Sequence, residues 1–377
     1  MPRIFYRSRF GLHCQRIPSW LPELIAGTEA FEWIKIVNPP PENPFPGRSI
    51  IGRICPDETT DGKDHALIAQ GAAGAERYFN QCLPTYDRLP YVAIWEGPNE
   101  PPVETQEQRT KLVEFELRWI QLMHDKGLFR TKRARKAAAL SLGVGWPFIG
   151  TGHEFVDVAR KADYIALHEY GAGMQDEEGW HCLRYRKFVA ELAAAGVAPP
   201  QIMITEAGID GGVIEGQGGK GWKPFTDESG YLMQLIRYDQ KVAKDDNIIC
   251  FTPFTTGSVD PWKSFDVGES LVTQIARYVE SVTLPEPPPT PPPPIPPAPP
   301  PIPPGPDVAE AIREAAWNQA RVDYNPEAAF SREARKRELG APMTGEFDLG
   351  EYRAQGFVKG ILFCLVPHWN EIEFVSW

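Results

Sequence analysis

The chain has 377 residues, enough at ~100–200 residues per domain for one large domain and a smaller one. Hydrophobic residues make up 42% and charged residues 24%, a globular composition with no run near the ~20 apolar residues that insertion into a membrane requires. A formal net charge of −11 would repel phosphate backbones, so nucleic acid is not expected as a partner.

The N-terminus and the cysteines bear on localisation and on metals. Met1 to Tyr6 contain no apolar segment or cleavage site of a secretory signal. We therefore expect a protein that is cytoplasmic or released by lysis or a non-standard route, unless a signal was removed. The six cysteines form no Cys-x-x-Cys pair and have no histidine cluster at zinc spacing, so neither a metal site nor a cofactor is expected.

Short apolar runs alternate with longer amphipathic stretches up to about residue 283. The runs predict eight strands, at Phe10–Gln15, Trp33–Val37, Ser49–Cys55, Tyr91–Trp95, Ala137–Val144, Tyr164–His168, Ile202–Thr205 and Ile248–Phe254. The stretches predict helices at about 18–25, 64–81, 105–126, 153–161, 179–195, 229–242 and 270–282. Three prolines at 39–41 exclude a helix directly after the second strand.

This alternation fits two architectures, a doubly wound sheet and a (β/α)₈ TIM barrel. The count of strands and the length of ~280 residues match the barrel. The first strand is not followed by the glycine-rich turn of a dinucleotide fold. Residues 1–283 are therefore predicted to form a (β/α)₈ barrel.

A proline-rich segment follows the predicted barrel. Sixteen of the 22 residues from Pro285 to Pro306 are proline, which favours polyproline II at ~3.1 Å per residue and a length of roughly 70 Å. Residues 284–306 are therefore predicted to be a linker between folded parts. The alternative is a ligand for SH3 or WW domains.

Residues 307–377 are predicted to form a small α+β module. Helical patterns cover 308–319 and 326–338, and a strand-like run covers 356–365. The module is rich in aromatic residues, namely Trp317, Tyr324, Phe347, Tyr352, Phe357 and Trp369. These residues could bind an insoluble glycan or a cell wall, tethering the first domain to its substrate, or they could form the core of the module.

Two predicted strands end in motifs that carry a carboxylate. Strand four runs into Trp95-Glu96-Gly97-Pro98-Asn99-Glu100-Pro101, and strand seven into Thr205-Glu206-Ala207-Gly208. The carboxyl ends of barrel strands face one cavity, so Glu100 and Glu206 should converge. Paired carboxyl groups are the minimum apparatus for glycoside hydrolysis. The alternatives are that both are salt-bridged rim residues, or that Glu96 is the acid in place of Glu100.

These two motifs resemble the clan A glycoside hydrolases, which carry Asn-Glu-Pro or Asn-Glu at the end of strand four and a glutamate at the end of strand seven. The resemblance covers about residues 8–270. It implies a retaining mechanism with Glu100 as general acid/base and Glu206 as nucleophile. The proline-rich stretch 39–46, which replaces a regular helix, departs from the family pattern.

The resemblance also implies residues that contact the substrate or support the nucleophile. Asn99 matches the position that binds the sugar 2-hydroxyl, and Arg53 the arginine that keeps the nucleophile ionised. His168 and Tyr170, at the end of strand six, match residues that lie against the nucleophile, with Glu169 between them as a weaker candidate. Further predicted substrate contacts are His13, Trp95 and Trp262. His13 and Trp262 could instead be ordinary packing residues.

The sequence therefore predicts a retaining β-glycosidase that acts on a β-linked oligosaccharide or polysaccharide. A second hypothesis keeps the mechanism but makes bacterial wall glycan the substrate, as in phage lysins that carry a wall-binding module. A third is a barrel that binds carbohydrate without catalysis, and a fourth is an adaptor that recruits partners through the polyproline segment.

Overall fold

The computed structural model describes residues 6–55, 61–125, 135–171, 181–213 and 220–283, and near the C-terminus residues 328–340, 342, 346–349, 352–366, 368–369 and 371–375. The chain divides into two compact units, 1–285 and 286–377. The predicted linker 284–306 and the predicted helix 308–319 both lie outside the described residues.

Eight parallel strands in sequential order form the first unit's sheet, which is a (β/α)₈ barrel as predicted. They are β1 Leu12–Cys14, β2 Trp33–Val37, β3 Ser49–Arg53, β4 Val92–Glu96, β5 Lys136–Leu142, β6 Tyr164–Gly171, β7 Ile202–Ile209 and β8 Ile248–Pro253. Parallel bridges from Phe10 to Phe251 and from Cys14 to Thr256 join the first strand to the last.

The helices of this unit are α1 Leu21–Ala26, α2 Asp61–Ile68, α3 Ala72–Arg88, α4 Gln106–His124, α5 Val156–Lys161, α6 Tyr185–Ala194, α7 Glu228–Val242 and α8 Glu269–Thr283. The single helix predicted at 64–81 was wrong, because Gly71 adopts a φ of 57° and separates α2 from α3. Helix α3 then continues through Pro84 to Arg88, with buried Phe79, Cys82 and Tyr86 holding it on the barrel.

The connection between β2 and β3 contains no helix, as the prolines predicted. In the barrel interior, apolar side chains from six strands fill the lower part, namely Ile51, Ile94, Ala138, Ala166, Met203 and Cys250. A larger apolar core lies between the strands and the helices. Because the lower interior is packed, charged side chains gather at the carboxyl ends of the strands.

Strand β5 is irregular where it approaches the carboxyl end of the barrel. Its register with β6 shifts between Ala139 and Leu142, and Leu140 and Ser141 both adopt positive φ. The backbone N–H of Leu140 donates to the carboxyl group of Glu116 on α4 at 3.0 Å. The bulge therefore turns Ser141 out of the regular strand pattern while a buried side chain satisfies the released N–H.

Glu116 should make the stability of the fold dependent on pH. Burial raises its pKa from 4.5 to about 8, so between these values the unfolded chain loses a proton that the folded chain keeps. The free energy of unfolding therefore falls as pH rises through this window. One pKa unit corresponds to about 1.4 kcal/mol, so we expect Glu116→Gln to be at least about that much more stable than wild type at pH 8, and equal to it at pH 4.

Urea unfolding at the two pH values measures this difference, with exposed Glu107→Gln on the same helix as the matched control. An equal stability change at pH 4 and pH 8 would show that Glu116 is ionised in the folded protein.

The second unit contains helix α9 Ala329–Lys336 and a four-stranded antiparallel sheet in the order β12-β11-β10-β9. Its strands are β9 Phe347–Leu349, β10 Tyr352–Phe357, β11 Gly360–Leu365 and β12 Glu373–Val375. It is the predicted α+β module, although the single strand-like run 356–365 is wrong. A turn at Val358-Lys359 divides that run between two paired strands.

The described aromatic residues of this module differ in burial. Phe357 belongs to its core with Phe330 and Leu362, whereas Tyr352 and Trp369 are exposed. Trp317 and Tyr324 lie outside the described residues, as does the side chain of Phe347. The glycan-binding role of the module therefore stays a prediction. In neither unit is a described helix both long and apolar enough to span a membrane.

Candidate active site

A cavity of about 190 Å³ opens at the carboxyl ends of the barrel strands. Glu206 reaches it from β7, and Glu100 from the loop that follows β4. One oxygen of each carboxyl group and one ring nitrogen of His168 lie within 4.8 Å of one another. The two glutamates that the sequence singled out therefore share one small space.

Glu206 is buried and surrounded by donors. Its Oε1 accepts from Lys35 Nζ at 3.0 Å and from a nitrogen of Arg53 at 2.8 Å, and its Oε2 accepts from the hydroxyl of Tyr170 at 2.8 Å. Burial alone would raise the pKa of Glu206, but the charges of His168 and Lys35 outweigh it and hold that pKa well below its usual range. The side chain is therefore an ionised carboxylate with one oxygen held by two cations.

Beneath Glu206, a second buried ion pair lies inside the barrel. Lys35 of β2 is fully buried and bridges Glu206 to Glu96, whose Oε2 lies 2.7 Å from the ammonium nitrogen. The other oxygen of Glu96 accepts from the hydroxyls of Ser141 at 2.8 Å and Thr205 at 2.6 Å. Burial would raise the pKa of Glu96, but the Lys35 charge holds it far below its usual range. Glu96 therefore supports the site from below and lines no part of the cavity.

Removal of Lys35 should destabilise the fold through the charges it leaves behind. Breaking a buried ion pair from one side costs about 3–5 kcal/mol, because the remaining charge is uncompensated. We expect Lys35→Met to lose about that much unfolding free energy at pH 7, and Lys35→Met/Glu96→Gln, which removes both charges, to regain most of it. Urea unfolding measures both, and a double variant no more stable than the single one would refute this pairing.

His168 links the two glutamates. Its Nδ1 lies 2.8 Å from Oε1 of Glu100 and 3.7 Å from Oε2 of Glu206, and its Nε2 lies 3.4 Å from Glu96. Burial would lower the pKa of His168, but the charge of Glu206 and the hydrogen bonds to Glu100 and Glu96 raise it to about 9. At neutral pH His168 is therefore an imidazolium that donates from both nitrogens.

Glu100 differs from Glu206 in its surroundings. Its side chain is 45% exposed, and its Oε1 lies 2.8 Å from Nδ1 of His168. The residue adopts a φ of 41°, and its backbone N–H donates to the carbonyl of Ser141 at 3.1 Å. The preceding Asn99 accepts a hydrogen bond from Arg53, the same guanidinium that holds Glu206. The turn therefore directs Glu100 toward the solvent side of the cavity and Asn99 toward Glu206.

Aromatic and imidazole rings form another wall of the cavity. Phe254, at the end of β8, lies 5.8 Å from the ring of Trp262 and 4.8 Å from that of His13. Trp262 is half-buried and lines the cavity, and its contact with substrate stays a prediction. Burial lowers the pKa of His13 to about 4, so its ring is neutral, and its Nε2 lies 3.6 Å from Glu206.

The structure does not place Trp95 in the cavity, so the prediction of a substrate contact there is corrected. Successive side chains of a strand point to opposite faces. Since Glu96 points into the barrel, Trp95 points outward, where it is fully buried 4.6 Å from the ring of Tyr86. A Cβ atom at Gly52 would lie 2.7 Å from the Trp95 ring, so the glycine provides the space for it.

Glu169 also faces outward, between His168 and Tyr170 on β6. Its carboxyl group accepts from the backbone N–H of Leu183 at 2.7 Å and from the hydroxyl of Tyr238 at 2.6 Å. Burial raises its pKa to about 7. Glu169 therefore attaches the segment before α6 to the barrel and does not contact the cavity.

Sequence reasoning missed Lys35, which contacts Glu206 and Glu96. The signal was present, because a lysine in the middle of the apolar strand Trp33-Ile34-Lys35-Ile36-Val37 can be buried only if a carboxylate pairs with it. Asp210 and Phe254, which also line the cavity, were missed as well. Nothing in the sequence distinguished these two from ordinary strand ends.

The cluster of Glu100, His168 and Glu206 has three donor atoms close enough to hold a metal ion. The charge around it disfavours that use. Glu206 already accepts from two cationic side chains, Lys35 and Arg53, and a metal ion would be repelled by both. The surrounding positive charge instead favours the ionised carboxylate of Glu206 itself.

No protein-family model matches this chain, and no curated protein matches it. Solved structures similar to this chain include glycoside hydrolases.

A broad-specificity endoglucanase from Clostridium longisporum is 12% identical with a TM-score of 0.42, over 74% of this chain and 99% of that one. One from Ruminococcus champanellensis, with bound cellotriose, is 14% identical with a TM-score of 0.38, over 73% and 95%. A β-galacturonidase from Eisenbergiella tayi is 14% identical with a TM-score of 0.41, over 72% and 51%. Likeness at this level does not identify a family, so the function depends on the residues of the site.

Proposed function

We propose that this chain is a retaining β-glycoside hydrolase in which Glu206 is the nucleophile and Glu100 the general acid/base. One observation carries the proposal, namely that oxygens of the two carboxyl groups lie within 4.8 Å of each other at the cavity. Retaining glycosidases hold their carboxyl groups about 5–5.5 Å apart, whereas inverting enzymes need about 6.5–9.5 Å to admit a water molecule. The 4.8 Å refers to one oxygen of each group, and a closest approach of this size is compatible with the shorter, retaining separation.

In the first step, an oxygen of Glu206 attacks the anomeric carbon of the sugar. The bond from that carbon to the glycosidic oxygen breaks, and the leaving oxygen takes the proton of Glu100. The contacts of Glu206 suit this role, because its lowered pKa keeps the carboxylate ionised. The exposure of Glu100 suits the other role, because the water molecule that it activates in the second step must reach it from solvent.

In the second step, Glu100 takes a proton from water, and the resulting hydroxide attacks the anomeric carbon from the face that the leaving group left. The ester bond to Glu206 breaks, and the carboxylate recovers its charge. Two inversions give net retention of the β configuration.

The position of His168 fits this movement of charge. Glycosylation transfers the negative charge from Glu206 to Glu100, and deglycosylation returns it. The imidazolium lies 2.8 Å from one carboxyl group and 3.7 Å from the other, so it can stabilise the charge on either. A group already oriented for both charge states needs no reorganisation during the reaction.

The expected substrate is a β-linked oligosaccharide or polysaccharide. The cavity is lined both by polar groups, including Asn99 and Arg53, and by aromatic rings, including Trp262 and Phe254. A pyranose has hydroxyl edges and an apolar C–H face, so it fits a site that pairs hydrogen-bonding groups with an aromatic wall.

A substrate screen followed by proton NMR of the first product tests the proposal. Gluco-, manno-, xylo- and galacto-configured aryl β-glycosides, soluble polysaccharides and peptidoglycan would each be incubated with the protein. We expect hydrolysis of at least one class, with the β anomer appearing before mutarotation. Release from peptidoglycan alone would identify the wall-glycan alternative, an initial α anomer would refute retention, and the absence of any hydrolysis would favour a binding protein.

A further inference from the structure

The loop after β5 begins against the carboxyl group of Glu100. A Cβ atom at Gly143 would lie 3.3 Å from Cδ of Glu100, so the backbone of the loop borders the proposed acid directly. The next residue, Val144, lines the cavity with Glu100. The loop of residues 143–152, here called the β5 loop, therefore begins at the edge of the cavity on the Glu100 side.

Two aromatic rings follow within this loop and contact each other. The ring centroids of Trp146 and Phe148 lie 3.8 Å apart. Trp146 is half-buried against the main core, whereas Phe148 is 42% exposed and the neighbouring Ile149 is 56% exposed. Adjoining exposed apolar side chains, in a loop that begins at a cavity, are a common mark of a ligand contact.

The β5 loop is fixed by hydrogen bonds from several directions. The guanidinium of Arg184 donates to the carbonyl of Pro147 at 2.7 Å. The backbone N–H groups of Gly150 and Gly152 donate to the carboxyl group of Glu191 at 2.7 and 2.6 Å. The aromatic rings are therefore presented from an ordered loop, so a ligand that stacks on them does not have to order it first.

We propose that Trp146 and Phe148 form a binding subsite for the sugar on the leaving-group side of the cleaved bond. This inference rests on the proposed function, because an acid that protonates the leaving oxygen must lie on the same side as the leaving group. The β5 loop starts against that acid, and its exposed Phe148 ring, packed on Trp146, offers an apolar surface. The ligand it fits is the C–H face of a pyranose in a β-linked chain.

The test compares two leaving groups on the same glycone. An oligosaccharide places a sugar on the proposed subsite, whereas the matching β-glycosyl fluoride has a single-atom leaving group that cannot reach it. The probes are cellotetraose, mannotetraose and xylotetraose with their corresponding glycosyl fluorides. We expect Phe148→Ala and Trp146→Ala each to lower kcat/KM for the hydrolysed tetrasaccharide about tenfold and to leave the fluoride within about twofold of wild type. Met233→Ala, which removes an exposed apolar side chain from α7, is the control.

A binding measurement separates failure of the subsite from failure of the proposed function. Calorimetry of the three tetrasaccharides would use Glu206→Ala, with and without Phe148→Ala. If wild type hydrolyses none of the substrates, but Glu206→Ala binds a tetrasaccharide about tenfold more tightly than Glu206→Ala/Phe148→Ala, the proposed function fails and the subsite stands. Equal losses on tetrasaccharide and fluoride, unchanged kinetics in both loop variants, or no binding of any tetrasaccharide would each overturn the subsite.

Discussion

Replacement of Glu206 by alanine is expected to lower hydrolysis of an aryl β-glycoside by a factor on the order of 10⁴ or more, since the covalent intermediate can no longer form. The space left beside the anomeric carbon should admit azide. Azide would then displace the aryl group directly while Glu100 protonates the leaving oxygen, and the product would be the α-glycosyl azide. Rates with and without azide, and the product anomer by NMR, measure this.

The matched control is Glu169→Gln, which changes a buried carboxyl group on the outer side of the barrel wall and should keep its activity. A Glu206→Ala protein that retains more than a few per cent of wild-type turnover would show that the nucleophile is misassigned. Rescue that gives the β-glycosyl azide would contradict the account in another way, because a single displacement cannot retain configuration.

Replacement of Glu100 by alanine is expected to depend on the leaving group. For alkyl or sugar leaving groups, which need protonation, kcat/KM should fall about 10²–10⁴-fold. For 2,4-dinitrophenolate the first step should survive. The second step lacks its base, so a burst of phenolate should precede slow turnover. Azide should accelerate that turnover and give the β-glycosyl azide, the opposite anomer from that of Glu206→Ala.

Stopped-flow detection of the phenolate and a series of leaving groups of different pKa measure this behaviour. Glu104→Ala, an exposed carboxylate a few residues along the same segment, should behave as wild type. Equal losses for all leaving groups would show that Glu100 does not act as the acid, and would bring Glu96 back into consideration.

The sequence predicted best the features that follow from the pattern of apolar residues along the chain. All eight strands were predicted, because buried parallel strands are short apolar runs separated by helical stretches. The convergence of Glu100 and Glu206 followed from the same topology, since carboxyl ends of strands meet on one face. Helix boundaries depended on local backbone conformation, as at Gly71, which a helical pattern does not reveal.

Orientation across a strand was harder to predict than position along it. Trp95 and Glu96 are adjacent in an aromatic and acidic motif, yet one packs against helices and the other lies in the barrel interior. The pairing of Lys35 with two carboxylates depended on contacts across the barrel, which a linear pattern does not specify. The hairpin in 356–365 was read as one strand because its turn, Val358-Lys359, contains neither proline nor glycine.

The central claim is that Glu206 forms a covalent bond to the sugar. A 2-deoxy-2-fluoro-β-glycosyl fluoride of the preferred configuration should inactivate the protein. The fluorine at C2 slows both steps, but the fluoride leaving group at C1 keeps the first step fast, so the covalent intermediate accumulates. Mass spectrometry of the digested protein should then find one added sugar on the peptide that contains Glu206. A label on Glu96, Glu100 or Asp210, or hydrolysis of the parent substrate with no covalent adduct and an inverted product, would contradict the account.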